Sequence, residues 1–558
     1  MQWETKSCPA LPAGYTPAVS DDQPSSPSPR AVAYLCPLYG LFCLGNSVGR
    51  KIILFILTVL QLGVGLLTMV FMGWVRVDWD GRGLPGSLRW NLTARSKDSF
   101  ATSQYAANEN NPASWPGYRG AKRDGVYAGP ALRFDWKANP PKQLWKTAIG
   151  GGHSGTTIAQ GRLFTMEQWD EGEAVTAYNL IDGRGLWHHV YEGSFNDSGR
   201  MGGVGPRSTP TWDDGRLYTL GTEGQLYCFD AATGKVIWQK DLFAVFETRN
   251  IMFGMCGSPW VQGDRIFLTM GAGKFTVAAL NKKSGEIIWK TEDAEKQAYV
   301  SPFTTTLAGR EQLILGAGRE VQGLSLEDGT VLWRDDWRVS YDNHIAQPIV
   351  LDEQHLFVSA GYGTGCALYK ITDNNGTFKS EQIWFNKELK NKFTSSVLHE
   401  GYIYGLDDAG GENAAYLTCL EAKTGKLMWR GEENYGHGQL LLADGHLIIQ
   451  CEDGSLALAK ASPDSHQMIS RQSALNGKTW NNPTLAGGRL YLRNDRELIC
   501  YDVSHGSEAG SAATFAGHSE SLPILLAAFL VMNGLGLLIL GTLSRNSTSE
   551  LTAEEDAA

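Results

Sequence analysis

Three strings decide the fold: FDAATGKVIW (229–238), LNKKSGEIIW (280–289) and LEAKTGKLMW (420–429). In each, a polar residue and a glycine precede a tryptophan four positions past the glycine. The pairing recurs as Asp182-Gly183 with Trp187, Thr233-Gly234 with Trp238, Ser284-Gly285 with Trp289, Asp328-Gly329 with Trp333, and Thr424-Gly425 with Trp429. The glycines at 183, 234, 285 and 329 step by 51, 51 and 44 residues, the length of one four-stranded propeller blade. A stretched copy joins Asn375-Gly376 to Trp384, and a further one near Pro463 has lost both Gly and Trp.

The chemistry of the pattern is that of a hairpin. Glycine takes the positive φ of a tight turn, and the polar residue before it tolerates the other turn position. In a plain strand the residues two and four past the glycine share a face, so Val236 with Trp238, Ile287 with Trp289, Val331 with Trp333 and Leu427 with Trp429 are expected to pack together on the neighbouring blade. Eight units follow between Trp145 and Asp502. Their third strands are expected to end at Tyr178, Phe229, Leu280, Leu324, Tyr369, Leu420, Ala459 and Tyr501. The last unit lacks an outer strand, and KQLWKTAIG (142–150) is unpaired before the first unit. That segment is expected to complete the eighth blade and close the ring, which removes exposed sheet edges. The fold class is therefore all-β, an eight-bladed β-propeller over 144–503.

These repeats resemble the pyrroloquinoline-quinone (PQQ) type of the quinoprotein alcohol dehydrogenases. They also resemble the repeats of the outer-membrane assembly lipoprotein BamB, which bind no quinone. Similar still is a group of bacterial membrane-anchored PQQ-like propellers carrying stretches like SWPGYRGAKRDGVY (114–127), TMEQ (165–168) and GVGPRSTPTW (203–212). The repeat is specific for fold and uninformative about activity.

Outside the repeats, two apolar runs carry no charge, 52–75 and 522–543. At about 1.5 Å per residue each is long enough for a hydrocarbon core of roughly 30 Å, so each is expected to span a membrane. The remaining divisions are a Pro/Ser-rich tail expected to be disordered (1–30), an apolar juxtamembrane piece (31–51), an irregular stalk (76–143), a linker (504–521) and an acidic tail (544–558). Arg76, Arg82, Arg89 and Arg95 follow the first run, which does not favour a cytoplasmic N-terminus. Long domains translocate regardless of such charges, however, and Arg545 follows the second run. The expected arrangement is a bacterial inner-membrane protein with a periplasmic propeller. A net charge of −10 and the absence of a dense Lys/Arg patch exclude nucleic acid as a partner.

Cys228, Cys419 and Cys500 occupy one equivalent position in three blades, filled by Ala177, Ala279 and Gly323 in others. A site alternating Cys, Ala and Gly is a small buried slot, so these thiols act as small hydrophobes. No C-x-x-C occurs, which removes a thioredoxin site, a zinc ribbon and a haem attachment.

Ligands of a propeller gather where innermost strands begin at the channel. Those positions supply His153, Arg207, Ser208, Tyr299, Asp342, Asn343, His344, His437, Trp480 and Asn482 as candidate ligand-binding residues, with Thr209, Cys256, Thr394 and Asn481 beside them. A bound quinone would need an aromatic support, an Arg for its carboxylates and a Ca²⁺ held by carboxylate and amide oxygens, which Trp480, Arg207, Asp342 and Asn343 would have to provide. The alternative is that these polar groups bond channel water and neighbouring backbone. Many quinoprotein alcohol dehydrogenases carry adjacent cysteines, which this chain lacks, although membrane-bound glucose dehydrogenases lack them too. The expected function is a scaffold binding proteins or peptides, with no catalytic residue and no metal. The alternatives are a dehydrogenase using PQQ with Ca²⁺ and passing electrons to membrane quinone, and a ligand sensor.

Overall fold

The computed structural model describes Leu60, 63–65, 75–79, 85–90, Lys97, 100–195, 203–292, 299–317, 319–409 and 414–506. It divides into two units, Met1–Gly73 and Trp74–Ala558. In the first, the described residues are helical. Apart from those residues and Val75, the run 52–75 lies outside the described residues, and so does the whole of 522–543. Among the described residues no helix is long and apolar enough to cross a membrane. The tail 1–30, the segment 31–51, most of the linker and the acidic tail also lie outside them.

The second unit opens with an antiparallel hairpin, β1 (Val75–Trp79) with β2 (Pro85–Trp90). Eight four-stranded antiparallel sheets follow. Blade 1 is Thr157–Ala159, Arg162–Trp169, Gly172–Asn179 and Gly185–Tyr191, from the channel outwards. Later innermost strands are Thr211–Asp213, Trp260–Gln262, Phe303–Leu307, Ile349–Val350, Val397–His399, Gln439–Ala443 and Thr484–Ala486. In blade 8 the outer position is taken by β3 (Lys142–Ala148), paired with Glu497–Asp502 so that Trp145 faces Cys500. The ring closes through the segment expected to close it. Third strands end one residue past the expected positions except in blade 5, where Gly365–Asn374 runs five residues beyond Tyr369 into a long hairpin with Thr377–Asn386. That hairpin explains the stretched repeat.

One expectation about the tryptophan face is corrected. In every blade the pairing of third and outer strands shifts register at the same place: Cys228 faces Trp238, but Phe229 faces Val236. The residue between, Ile237, is a β-bulge, and one extra residue reverses which face the next side chain takes. Trp238 therefore packs with Cys228 and Tyr218 against Ile266 and Leu280 of the next blade. Val236 points the other way, with Leu217 and Phe229 against Phe164 and Trp187 of the preceding blade. The two do not share a face.

The bulge also explains the small slot. In six blades the residue opposite the indole is Ala177, Cys228, Ala279, Gly323, Cys419 or Cys500, because the ring lies over it; in blade 5 Trp384 faces Leu368 instead. Cys228, Cys419 and Cys500 are fully buried and unpaired. Burial raises their thiols to about 11, 12 and 12. Each indole then docks on the next blade. Trp145, Trp187, Trp238 and Trp289 donate to the carbonyls of Leu180, Ala231, Lys282 and Leu326 at 3.1, 3.1, 3.3 and 2.8 Å. Each accepting carbonyl lies three residues before the repeat glycine. Gly234 and Gly285 take φ of 72° and 73°, and a methyl group on either would sit 2.5 or 2.9 Å from that indole. The glycine thus serves the turn and the docking together. Trp429 finds Ser462 O at 2.9 Å although Pro463 stands where the turn residues were lost. Trp333 instead donates to Gln312 in its own blade, since the next repeat glycine, Gly376, sits at the tip of the long hairpin.

The stretch 76–143, expected to be an irregular stalk, is more ordered than that. Besides the hairpin, its residues from 100 onwards lie on the propeller: Phe100 packs on Trp169, Tyr178 and His188, and Trp115, Tyr127, Leu132 and Trp136 join the core of blades 1, 7 and 8.

Candidate functional site

The polar residues where the innermost strands begin mainly hold the blades together. Gly155 N–H donates to Thr209 Oγ1 (3.0 Å), Thr209 N–H to Ser258 Oγ (2.9 Å) and Ser258 N–H to Ser301 Oγ (2.9 Å). Gln347 Nε2 donates to Ser301 O (3.1 Å), and its backbone N–H to Ser395 Oγ (2.9 Å). Gln439 Nε2 donates to Phe393 O (2.8 Å), Thr394 to Gly438 O, Gln450 Nε2 to Asn481 O (2.9 Å), and Asn481 Nδ2 to Ser154 O (2.9 Å). These bonds form a belt linking all eight blades in turn. A polar group buried without a partner is costly, so a channel wall of short polar side chains bonded to the neighbouring backbone satisfies both.

A second lock joins blade 1 to blade 8 and gives the TMEQ stretch its role. Arg493, fully buried, donates to Thr165 Oγ1, to Met166 O (3.0 Å) and to Gly152 O (3.3 Å). Glu167 beside it accepts from Gly150 N–H (2.6 Å), Trp169 Nε1 (2.8 Å), Thr176 Oγ1 (2.8 Å) and the Tyr178 hydroxyl.

Residues 114–127, quoted above only as a family stretch, turn out to cross the channel. Trp115 pairs with Ile158, Pro116 O accepts from Trp212 N–H (2.8 Å), and Tyr127 N–H donates to Leu442 O (2.8 Å). Between those anchors Arg119 donates to the carbonyls of Ser395 (3.1 Å), Ser396 (2.7 Å) and Leu440 (3.4 Å). Arg123 donates to Pro302 O (2.8 Å), Ser258 O (3.0 Å) and Pro259 O, and lies 4.9 Å from the Trp260 ring centre. Both guanidinium groups are buried, and burial lowers their pKa, for Arg123 to about 9. Their partners are carbonyl dipoles of blades 3, 4, 6 and 7, which makes this segment a strap across the ring. The sequence held only a weak signal for it: tyrosine, arginine and glycine interleaved in a stretch without strand periodicity.

Above the strap a cavity of about 140 Å³ remains at the leading face, where the innermost strands begin. Of the ten candidate residues, His153, Arg207, Tyr299, Trp480 and Asn482 line it, together with Cys256, Gln439, Phe253, Tyr362, Phe393 and, as floor, Tyr118 of the strap. The other five are not brought there. Ser208 is fully buried, Asp342 pairs with Arg319 (3.1 Å), and Asn343 bonds Tyr362. His344 lies fully buried against Ala317 O (3.3 Å), and His437 sits 3.8 Å from Asp408 and edge-on to Phe393. Burial lowers the His344 imidazole to about 4. On the opposite side of the strap the strand ends enclose a basin of about 820 Å³.

The lining does not fit PQQ with Ca²⁺. Among the described residues no Asp or Glu lines the cavity, and a calcium ion needs several hard oxygen donors. The Arg207 guanidinium donates to Gly205 O (3.0 Å) and Gly203 O (3.1 Å) of its own loop and stacks 4.7 Å from Phe195. The volume is below the roughly 300 Å³ at which pockets enclosing a cofactor-sized ligand begin. Among the described residues no group of three His, Cys, Asp or Glu is placed to hold a metal.

Comparison with known proteins places these features. Residues 171–429 match the family described as outer membrane protein assembly factor BamB. The BamB of Shewanella oneidensis is 22% identical over 319 residues, covering 55% of this chain and 70% of that protein. The quinoprotein alcohol dehydrogenase PedH of Pseudomonas putida is 27% identical over 136 residues, only 22% of its own length. Among solved structures, the quinohemoprotein alcohol dehydrogenase of Comamonas testosteroni superposes with a TM-score of 0.53 at 12% identity, over 73% of this chain and 82% of that one. That likeness is one of fold.

Proposed function

We propose that this chain, whose propeller is PQQ-like and BamB-like, is a binding module for proteins or peptides in the cell envelope, without a catalytic centre of its own. A tether through the apolar runs 52–75 and 522–543 is part of the reading, with the propeller on the periplasmic side. The observation that carries it is the allocation of the channel's polar groups. The belt residues bond neighbouring blades, and the cavity they leave is walled mainly by aromatic rings, with no carboxylate among the described lining residues. The titratable groups lining it include His153, Cys256 and Tyr299, and among the described residues no carboxylate stands in the lining to relay a proton for them. The printed role of the BamB relatives, as assembly factors for outer membrane proteins, supports the same direction.

The test has two arms. Purified full-length protein is titrated with PQQ and Ca²⁺ and followed by absorbance and by dye reduction with alcohols; a bound quinone spectrum with turnover would replace this reading by a dehydrogenase. In living cells a photo-crosslinking amino acid at Tyr341, which is 81% exposed at the leading face, is expected to give a discrete polypeptide adduct absent from a control position at Gly215. Its absence would count against a protein-binding role.

A further inference from the structure

We infer that the leading-face cavity receives one aromatic side chain of a partner polypeptide, presented on an acidic stretch. This rests on the protein-binding reading above and names the partner's chemistry.

The size comes first. A dry, apolar cavity of about 150 Å³ accommodates a benzene ring, and this one measures about 140 Å³. Six rings wall it: Tyr118, Phe253, Tyr299, Tyr362, Phe393 and Trp480. Phe393 and Trp480 stand 4.6 Å apart at their centres on one side, and Phe253 and Tyr299 5.8 Å apart on another. A ring inserted there meets other rings at the 4.5–7 Å separations that aromatic pairs favour.

Charge then selects the surroundings of that ring. An aromatic cage alone would suit a quaternary ammonium group. Here the Lys392 ammonium lies 5.3 Å from the centres of both Tyr362 and Phe393, and that of Lys478 lies 3.4 Å from Trp480. Arg207 stands in the wall, and Arg119 and Arg123 lie buried in the strap below. Among the described residues, the nearby acids Glu452 and Asp408 are engaged elsewhere: Glu452 accepts from Trp480 Nε1 (3.0 Å) and His437 N–H (2.7 Å), and Asp408 faces His437. Cations over a low-dielectric recess repel a cationic ligand and draw an anionic one. Gln439 fixes the polar end of the ring. Its Nε2 is committed to Phe393 O, and its buried Oε1 has no hydrogen-bond partner among the described residues. A phenol hydroxyl donating to that oxygen makes tyrosine the preferred side chain.

The mouth is built for a polypeptide. Met252, next to Phe253, is 70% exposed, and Tyr341, edge-on to Tyr362 at 5.8 Å, is 81% exposed. Tyr341 and Asp342 both hold positive φ, 61° and 54°, a conformation that a bulky side chain rarely adopts and that folds retain mainly where it serves a site.

Full-length protein is titrated by fluorescence anisotropy with labelled peptides in which a central tyrosine is flanked by two aspartates on each side. Replacing the tyrosine by alanine is expected to weaken binding at least about thirtyfold, the effect of losing a buried aromatic anchor. Replacing the aspartates by lysines abolishes binding, and Lys392→Glu weakens the acidic peptide at least about tenfold with an unchanged thermal midpoint. Cys256→Phe fills the cavity and removes the tyrosine preference; should it fail to fold, Lys392→Glu still decides. Equal binding of the tyrosine and alanine peptides overturns the inference. So does free 4-hydroxyphenylacetate binding as tightly as the peptide, which would make this a small-molecule site. If adducts form at Tyr341 while the peptides do not discriminate, the protein-binding role stands and this inference alone falls.

Discussion

Replacing Trp145 by alanine should unlatch the ring at one seam. Trp145 is 7% exposed and is the only aromatic anchor that the closing strand β3 contributes to the core. It lies over Gly183 of blade 1, near Tyr491, and directly opposite Cys500. Truncating a buried Trp to Ala costs about 3–5 kcal/mol through lost burial and the cavity left behind. The lost hydrogen bond adds little, because Leu180 O also accepts from Arg489 Nη1 at 3.0 Å and stays paired. At about 1.4 kcal/mol per tenfold, opening of β3 from Glu497–Asp502 becomes between about a hundredfold and a few thousandfold more frequent. Hydrogen–deuterium exchange of the full chain reads this directly: amides of 142–148 and 497–502 lose protection by that factor while those of blades 3 to 5 keep theirs. Milder variants give the control. Trp145→Phe removes a bonded indole N–H and should cost about 0.5–1.5 kcal/mol. Trp384→Phe should cost close to nothing from that source, since its indole N–H has no hydrogen-bond partner among the described residues and Asn386 Nδ2 holds Gly425 O at 2.7 Å instead. Unchanged protection at the seam in Trp145→Ala, or equal loss in every blade, would refute closure through this strand.

The strap should be as structural as a blade: Arg123→Ala leaves the carbonyls of Ser258 and Pro302 without their donor, while Pro259 O keeps Thr211 Oγ1 (2.6 Å), and a loss of about 1–3 kcal/mol per orphaned carbonyl is expected in denaturant titration. Arg123→Lys, one compact ammonium in place of a planar fork, should recover only part of it. Stability should fall in acid through His344. Its folded pKa of about 4 lies below the ordinary 6.5, so the unfolded chain binds the extra proton, and stability present above pH 6.5 is lost as pH drops towards 4. Comparison with His344→Gln at pH 7 and 4.5 should isolate roughly 2–3 kcal/mol; identical pH profiles would exclude the imidazole as the cause. Thiol labelling at pH 8 should leave Cys228, Cys419 and Cys500 unmodified in the folded protein and modify all three after unfolding. Labelling of any of them at the rate of an exposed thiol would show that the slot opposite the indoles is open.

Local sequence determined what is local and repeated. A glycine corner followed at fixed distance by a tryptophan specifies a hairpin with one heavy ring. Its recurrence specifies blades, and an unpaired strand before the first blade with a missing strand in the last specifies the closure, because unsatisfied sheet edges have one place to go. The small Cys, Ala or Gly slot was legible for the same reason, although its cause, the indole lying across from it, required the pairing register. Tertiary structure decided the rest. A single bulged residue such as Ile237 reverses the alternation of side chains, and that shift lies in the backbone, beyond the reach of a period-two pattern. Which polar groups bond a neighbouring blade and which line the cavity depends on contacts between residues tens to hundreds of positions apart, such as Ser154 with Asn481. The strap shows the limit most plainly. Arg119 and Arg123 look like surface residues beside glycines, and only the converging carbonyls of four blades make their burial affordable.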